Sequence, residues 1–121
     1  MNLGIKDDAF VRGNVPMTKE EIRILTLVKA QIAPDAVVYD VGAGTGSLSV
    51  EAARLAPRGH VYAIEKNPEG IALIKENAAR FFTQNLTVVE GAAPAALDGL
   101  PHLDVALIGG SGRRLPEILD I

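Results

Sequence analysis

Apolar residues fall along this chain in two rhythms. Four short runs are rich in branched and aliphatic residues, at 36–41, 60–64, 86–90 and 104–108. The first has Val-Val-Tyr-Asp-Val at its heart and reads as a strand buried on both faces. Between and before these runs the apolar positions recur at helical spacing. A helix is expected from Thr18, where Thr18 and Glu21 fit a capping box that satisfies orphan amides reciprocally. Ile22, Leu25, Val28 and Ile32 mark its apolar face, widened by Ile24 and Leu27, and Ala33-Pro34-Asp35 ends it. A second helix is expected over 47–56, stopped by Pro57. A third starts at Asn67-Pro68, with asparagine as N-cap and proline at the first helical position. It carries Ile71, Ile74, Ala78 and Phe81 on one face and ends near Thr83. Residues 94–97 suggest a short helix, and the chain from Leu115 onward a last one. The first 16 residues read as irregular, punctuated by Gly4, Gly13, Asn14 and Pro16.

The order is therefore a helix, then strand and helix repeating four times. Parallel strands need crossover connections, and those crossovers are right-handed, so this order implies an α/β fold with a parallel sheet flanked by helices. Composition narrows the picture. The chain has 121 residues, 48% of them apolar and 22% charged, which suits one globular domain. Cysteine is absent, which removes disulfides, thiolate metal sites and a cysteine nucleophile. His60 and His102 are the only imidazoles and lie far apart, so no metal site is expected. Twelve basic against fifteen acidic residues give a net charge of −3, a poor basis for binding nucleic acid. No apolar run approaches the ~20 residues that span a bilayer, and the start lacks a signal-peptide core. A cytoplasmic protein is the expectation, with no membrane or nucleic-acid partner.

Candidate chemistry sits after the first strand, in Gly42-Ala43-Gly44-Thr45-Gly46. Open α/β sheets bind ligands beyond the carboxyl ends of their strands. Glycines let the backbone turn sharply and let a ligand approach the main chain, and the following helix offers free amides to an anionic group. Glu65 closes the second strand, 21 residues after Gly44. A carboxylate there can accept from both ribose hydroxyls of a nucleoside and would repel a 2′-phosphate. The plainer alternative is a tight turn with Glu65 as a solvated strand-end acid. The dinucleotide pattern G-x-G-x-x-G needs a third glycine at position 47, which is Ser47; here the third is Gly46.

Read from Asp40, the string Asp-Val-Gly-Ala-Gly-Thr-Gly resembles the first motif of class I S-adenosylmethionine-dependent methyltransferases, and the likeness extends over 37–65. Further stretches narrow it. Gly4-Ile5-Lys6-Asp7-Asp8-Ala9-Phe10 and Pro16-Met17-Thr18-Lys19-Glu20-Glu21-Ile22-Arg23 are similar to the start of the decarboxylating precorrin methyltransferases of cobalamin biosynthesis. So are Tyr62-Ala63-Ile64-Glu65-Lys66-Asn67-Pro68-Glu69, Glu90-Gly91-Ala92-Ala93-Pro94-Ala95-Ala96-Leu97 and Ile108-Gly109-Gly110-Ser111-Gly112.

The resemblance implies a Rossmann-like class I methyltransferase fold of which residues 1–121 hold only about four of seven strands, the cofactor-binding part of a domain continuing past Ile121. It implies S-adenosylmethionine as cofactor and methylation of carbon 15 of a precorrin-6B-type tetrapyrrole, with loss of the ring C acetate carboxyl. By the same resemblance Gly42, Ala43, Gly44, Thr45 and Gly46 hold the methionine part, Glu65 the ribose, and Ala93 lies near the adenine. Thr18 also reaches the cofactor, unless it is simply a helix cap; Ala93 could equally be a small packing residue. Ala92 departs from the family in lacking a side chain that accepts from the adenine amino group. Arg12, Gly110, Ser111, Arg113 and Arg114 are candidates for the polycarboxylated substrate, the two later arginines being otherwise solvated charges. No catalytic residue is identified, and a homo-oligomer, a tetramer by resemblance, is implied. Two other readings stay open: a class I methyltransferase with another small-molecule or RNA substrate, and a non-catalytic nucleotide-binding fragment. The fourth strand, left at a sheet edge, is expected to favour self-association.

Overall fold

A computed structural model describes residues 3–108. Four parallel strands, β1 (Val37–Val41), β2 (His60–Glu65), β3 (Leu86–Glu90) and β4 (Val105–Ile108), form one sheet in the order β3-β2-β1-β4. In register, Val38 pairs with Val61 of β2 and Val105 of β4, and Ile64 pairs with Val89 of β3. All four expected strands form, with every end within one residue of its expected position. The order reverses at β1, so the loop after β1 lies at the switch point where such sheets bind ligands.

Three helices follow the alternation: α1 (Glu20–Ala30), α2 (Ser47–Leu55) and α3 (Pro68–Arg80). One face of the sheet is covered by α1 and α2, where Leu27, Leu48, Ala52 and Ala53 pack on Val38, Val61 and Leu107. Beside them α3 sets Ile74 against Ala63. On the other face a 3₁₀ turn at Ala95–Leu97 stands where the short helix is expected, its Leu97 buried against Tyr39, Val41 and Ile64. Asn67 caps α3 as expected, its side chain accepting from the Glu69 amide at 2.9 Å, with Pro68 in the first turn. Asn85 finishes α2 by donating to the carbonyls of Ala53 and Ala56.

Two expectations for α1 fail. The helix begins at Glu20, with Lys19 at the N-cap, and no capping box forms. The Thr18 carbonyl instead accepts from the Arg23 guanidinium at 2.7 Å, which holds Thr18 outside the helix. The apolar face is also misplaced. Ile22, Leu25 and Val28 face solvent, whereas Leu27 and Arg23 are buried. Burial of a charge is tolerated only where it is paired, so the partners of Arg23 set the rotation of α1. The helix ends at Ala30, before Ala33-Pro34-Asp35, with Gln31 in the left-handed region.

Those partners also dock the N-terminal segment, which is less irregular than its composition implies. Arg23 donates to Glu51 of α2 at 2.7 Å, to Asp7 at 2.9 Å and to the carbonyl of Ile5, and its guanidinium lies 5.0 Å from the Phe10 ring centroid. Glu51, fully buried, also accepts from the Gly4 amide at 2.7 Å. Further along, Asn77 of α3 accepts from the Val11 amide at 2.8 Å and donates to the Val11 carbonyl at 2.9 Å. The expected loop at 109–112 and the helix from Leu115 lie outside the described residues, as do Gly110, Ser111, Arg113 and Arg114.

Candidate functional site

The site is built where β1 runs into α2. Residues 42–46 turn the chain from strand to helix, and Gly42, Gly44 and Gly46 have φ of 71°, 62° and 84°. Side chains rarely adopt such angles, so the alternating glycines are a backbone requirement. Space adds to it at Gly44, where a Cβ would stand 3.0 Å from the Pro16 carbonyl. The loop is tied down from within. Gly42 and Ala43 both donate to the Ile64 carbonyl, at 2.9 and 3.1 Å, and Gly46 donates to Ala43 at 2.9 Å. Asn77 donates to the Thr45 carbonyl at 2.8 Å, so one α3 side chain holds both the loop and the N-terminal segment above it.

Gly46 is the N-cap of α2 and offers no capping side chain. The first-turn amides of α2, carrying the positive end of its dipole, are therefore open to an acceptor beyond the loop. This is the kind of terminus that carboxylates and phosphates occupy.

Glu65 stands at the end of β2 beside this loop. One oxygen accepts from the Gly44 amide at 2.7 Å and the other from the Asn67 amide at 3.0 Å. Only 9% of the residue is exposed. Each carboxylate oxygen has a second lone pair, so the anchored carboxylate can still accept from two ligand hydroxyls. Gly70 makes room for it: a Cβ at that position would lie 2.9 Å from Glu65 Cγ and 3.1 Å from the Gly44 carbonyl. The geometry fits a nucleoside whose ribose hydroxyls meet Glu65 while an attached acidic group meets the loop.

Asp40 lies one strand residue before the loop and is fully buried. Ser49 donates to its Oδ2 at 2.5 Å, while its Oδ1 has no partner among the described residues. Burial pushes this carboxyl up to about 7, against the Ser49 hydrogen bond and with help from the charge of Glu65.

Three further candidates, Thr18, Arg12 and Ala93, lie among the described residues. Thr18 is half-buried just ahead of α1, at the end of the segment whose Val15 and Pro16 lie over Gly44. Arg12 is exposed in that segment. Ala93 follows β3 and packs on the Tyr39, Val41, Ile64 and Leu97 cluster, which gives it a packing role; Ala92 is exposed. Among the described residues no group of three His, Cys, Asp or Glu side chains is gathered as a metal would need, and no helix is long and apolar enough to cross a membrane. The sequence reading missed Asn77, Gly70 and the Arg23–Glu51 pair. A charged residue set among apolar ones, as Glu51 is between Val50 and Ala52, is the signal that marks the last of these.

Comparisons with known proteins bear on this site. Residues 8–120 match the family described as precorrin methyltransferase domain. A probable cobalt-precorrin-6B C(15)-methyltransferase (decarboxylating) of Sulfolobus acidocaldarius is 45% identical over 98% of this chain. The chain spans 62% of that relative's length. The crystal structure of a precorrin-6y C5,15-methyltransferase from Geobacter metallireducens is 44% identical and superposes with a TM-score of 0.90, over 98% of this chain and 62% of that one. A protein-L-isoaspartate O-methyltransferase, at 19% identity and a TM-score of 0.70 over 82% of this chain and 32% of its own, shares the fold alone.

Proposed function

The chain belongs to the precorrin methyltransferase family, and on that premise we propose that it carries the S-adenosylmethionine site of an enzyme that methylates carbon 15 of a precorrin-6B-type tetrapyrrole and removes the ring C acetate carboxyl. The observation that carries the proposal is the pairing of Gly44 with Glu65 across the switch point of the sheet, at 2.7 Å. When bound, S-adenosylmethionine supplies an electrophilic methyl on a sulfonium whose departure leaves a neutral thioether.

The residues of this chain bind and orient. Gly42 to Gly46 present main-chain groups to the methionine part, and the α2 amides complement its carboxylate. Glu65 accepts from the ribose hydroxyls, held by the Gly44 and Asn67 amides so that no reorganisation is needed on binding. With alanine at 92 and 93, the adenine depends on backbone groups and on the apolar cluster under Ala93. Thr18 and the Val15–Pro16 stretch, which lies over Gly44, would cover the bound cofactor. Holding methyl and carbon nucleophile in line can supply about 7–11 kcal/mol of the barrier, so positioning is the enzyme's main task. The electrons released on losing carbon dioxide remain in the tetrapyrrole, and no protein base is assigned. Arg12, Arg113 and Arg114 would meet the substrate's carboxylates, and Gly110 and Ser111 would also contact it. The setting is the cytoplasm.

The test is a product assay on the protein with S-adenosylmethionine labelled in its methyl group and a precorrin-6B-type substrate. The expected product has gained one labelled methyl at carbon 15 and lost one carbon dioxide. Charge reversal at Arg12, Arg113 and Arg114 together is expected to raise KM for the tetrapyrrole at least tenfold, leaving cofactor affinity unchanged. A labelled product that keeps its carboxyl, or an unaltered KM, would contradict the proposal.

A further inference from the structure

Helix α3 carries Glu69, Leu73 and Asn77 four residues apart, a spacing that sets them in one stripe, and Phe81 at its C-cap continues it. The N-terminal segment runs along this stripe in the opposite direction. Phe10 packs on Phe81, ring centroids 5.0 Å apart, and Val11 meets Asn77. Gly13 passes so close that a Cβ there would stand 3.2 Å from Leu73 Cδ1, and the Asn14 amide donates to Glu69 at 2.8 Å. The chain then crosses the glycine loop, where Gly44 faces the Pro16 carbonyl and the Val15 side chain. Residues 10–16 are thus a strap laid from the C-terminal to the N-terminal end of α3, and it finishes over the loop.

The same helix also borders the loop, with Gly70 against the Gly44 carbonyl and Ile74 against Gly46. Asn77 joins the two. It is fully buried, its Oδ1 accepts from the Val11 amide at 2.8 Å, and its Nδ2 donates to the Val11 carbonyl at 2.9 Å and the Thr45 carbonyl at 2.8 Å. The junction needs two donors and an acceptor on one small group, which a primary amide supplies; a carboxylate of the same size has no hydrogen to give. A buried polar group left without its partner is costly, so Asn77 is satisfied only while strap and loop both hold their places. We propose that Asn77 is a positioning residue of the cofactor site, coupling closure of the strap to the conformation of residues 42–46. A ligand seated at the loop and a closed strap then stabilise each other. The inference rests on the proposed cofactor only for the choice of ligand, because the coupling belongs to the chain itself.

Amide hydrogen exchange read by mass spectrometry tests it, comparing peptides from the strap, from the loop and from β2, whose exchange reports global opening. Glu69→Ala loosens the strap at a point that does not touch the loop. In the chain without ligand it is expected to speed exchange about tenfold in the strap and, through Asn77, in the loop, with β2 unchanged. In Asn77→Leu both segments exchange faster, and adding Glu69→Ala speeds the strap alone. Saturating S-adenosylhomocysteine is expected to slow strap and loop together in the parent chain, and the loop alone in Asn77→Leu. A loop indifferent to Glu69→Ala while Asn77 is present overturns the inference, and this arm decides the matter even if Asn77→Leu does not fold. Faster exchange in β2 as much as in strap and loop, the mark of a merely structural asparagine, overturns it too. A parent chain that shows the coupling but binds no S-adenosylhomocysteine contradicts the proposed cofactor and leaves the inference standing. Binding that slows the loop of the parent chain and not its strap does the reverse.

Discussion

Replacing Arg23 with methionine is expected to lower the unfolding free energy by about 3–5 kcal/mol, because it leaves a buried carboxylate without its counter-charge. Arg23 and Glu51 are both fully buried, with nitrogen and oxygen 2.7 Å apart. Taking two charges out of water costs several kcal/mol each, and the pair recovers that only through its hydrogen bonds. Here the bonds are numerous. Arg23 serves Asp7, the Thr18 carbonyl and the Ile5 carbonyl, while Glu51 accepts from Gly4 and Ile5. Without the guanidinium, the Thr18 and Ile5 carbonyls also lose a donor and the N-terminal segment loses its main anchor. A domain of this size is stable by about 5–15 kcal/mol, so a third or more of the total is at stake. Changing Glu51 to methionine in the same molecule removes the stranded charge, and the double variant is expected to recover much of the loss. Urea unfolding of the two single variants and the double variant measures this. Losses that simply add would show that the pair does not act as a unit.

Folding stability should fall as pH rises from about 4 to about 7, and Asn at position 40 should flatten that fall. Asp40 has its folded pKa raised from 3.8 to about 7 by burial. Between those values the folded chain holds a proton that the unfolded chain has released, so the unfolded state binds fewer protons and raising the pH favours it. The favourable contribution is complete below pH 4 and is lost by the time pH passes 7. At 1.36 kcal/mol per pKa unit the difference is about 4 kcal/mol. Asp40→Asn keeps an acceptor for Ser49 and cannot ionise, so it should exceed the parent in stability at pH 8 by much of that amount. Thermal unfolding of both proteins across pH 4 to 8 reads the difference. Parallel curves would mean that Asp40 ionises in the fold at its ordinary pKa.

What could be read from the chain divides by distance. The strands, the glycine loop and Glu65 are local signals: a β-branched run, residues that most readily adopt positive φ, and an acid at a strand end. Asn67 and Pro68 mark the start of α3 for the same reason. The misreadings come from contacts between distant positions. Thr18 has the residue type and spacing of a cap, but its carbonyl is taken by Arg23 and the helix starts later. The apolar stripe of α1 is real in the sequence and lies on the outer side, because Arg23 must reach Glu51, 28 residues away. Asn77 reaches Val11 across 66 residues, and nothing beside it in sequence marks that role. Gly70 reads as an ordinary helix residue until Glu65 is placed against it.

The central claim is that Gly42 to Gly46 and Glu65 hold an S-adenosyl nucleoside. Calorimetric titration with S-adenosylhomocysteine, beside one with NAD, tests it most directly on the parent chain and on Glu65→Ala. The expected result is saturable binding of S-adenosylhomocysteine at one site per chain and none of NAD. A single charge-assisted bond contributes about 1.5–3 kcal/mol, so loss of the carboxylate should weaken that binding by at least tenfold to a hundredfold. Equal binding of NAD, or an affinity for S-adenosylhomocysteine unmoved by Glu65→Ala in a folded variant, would contradict it.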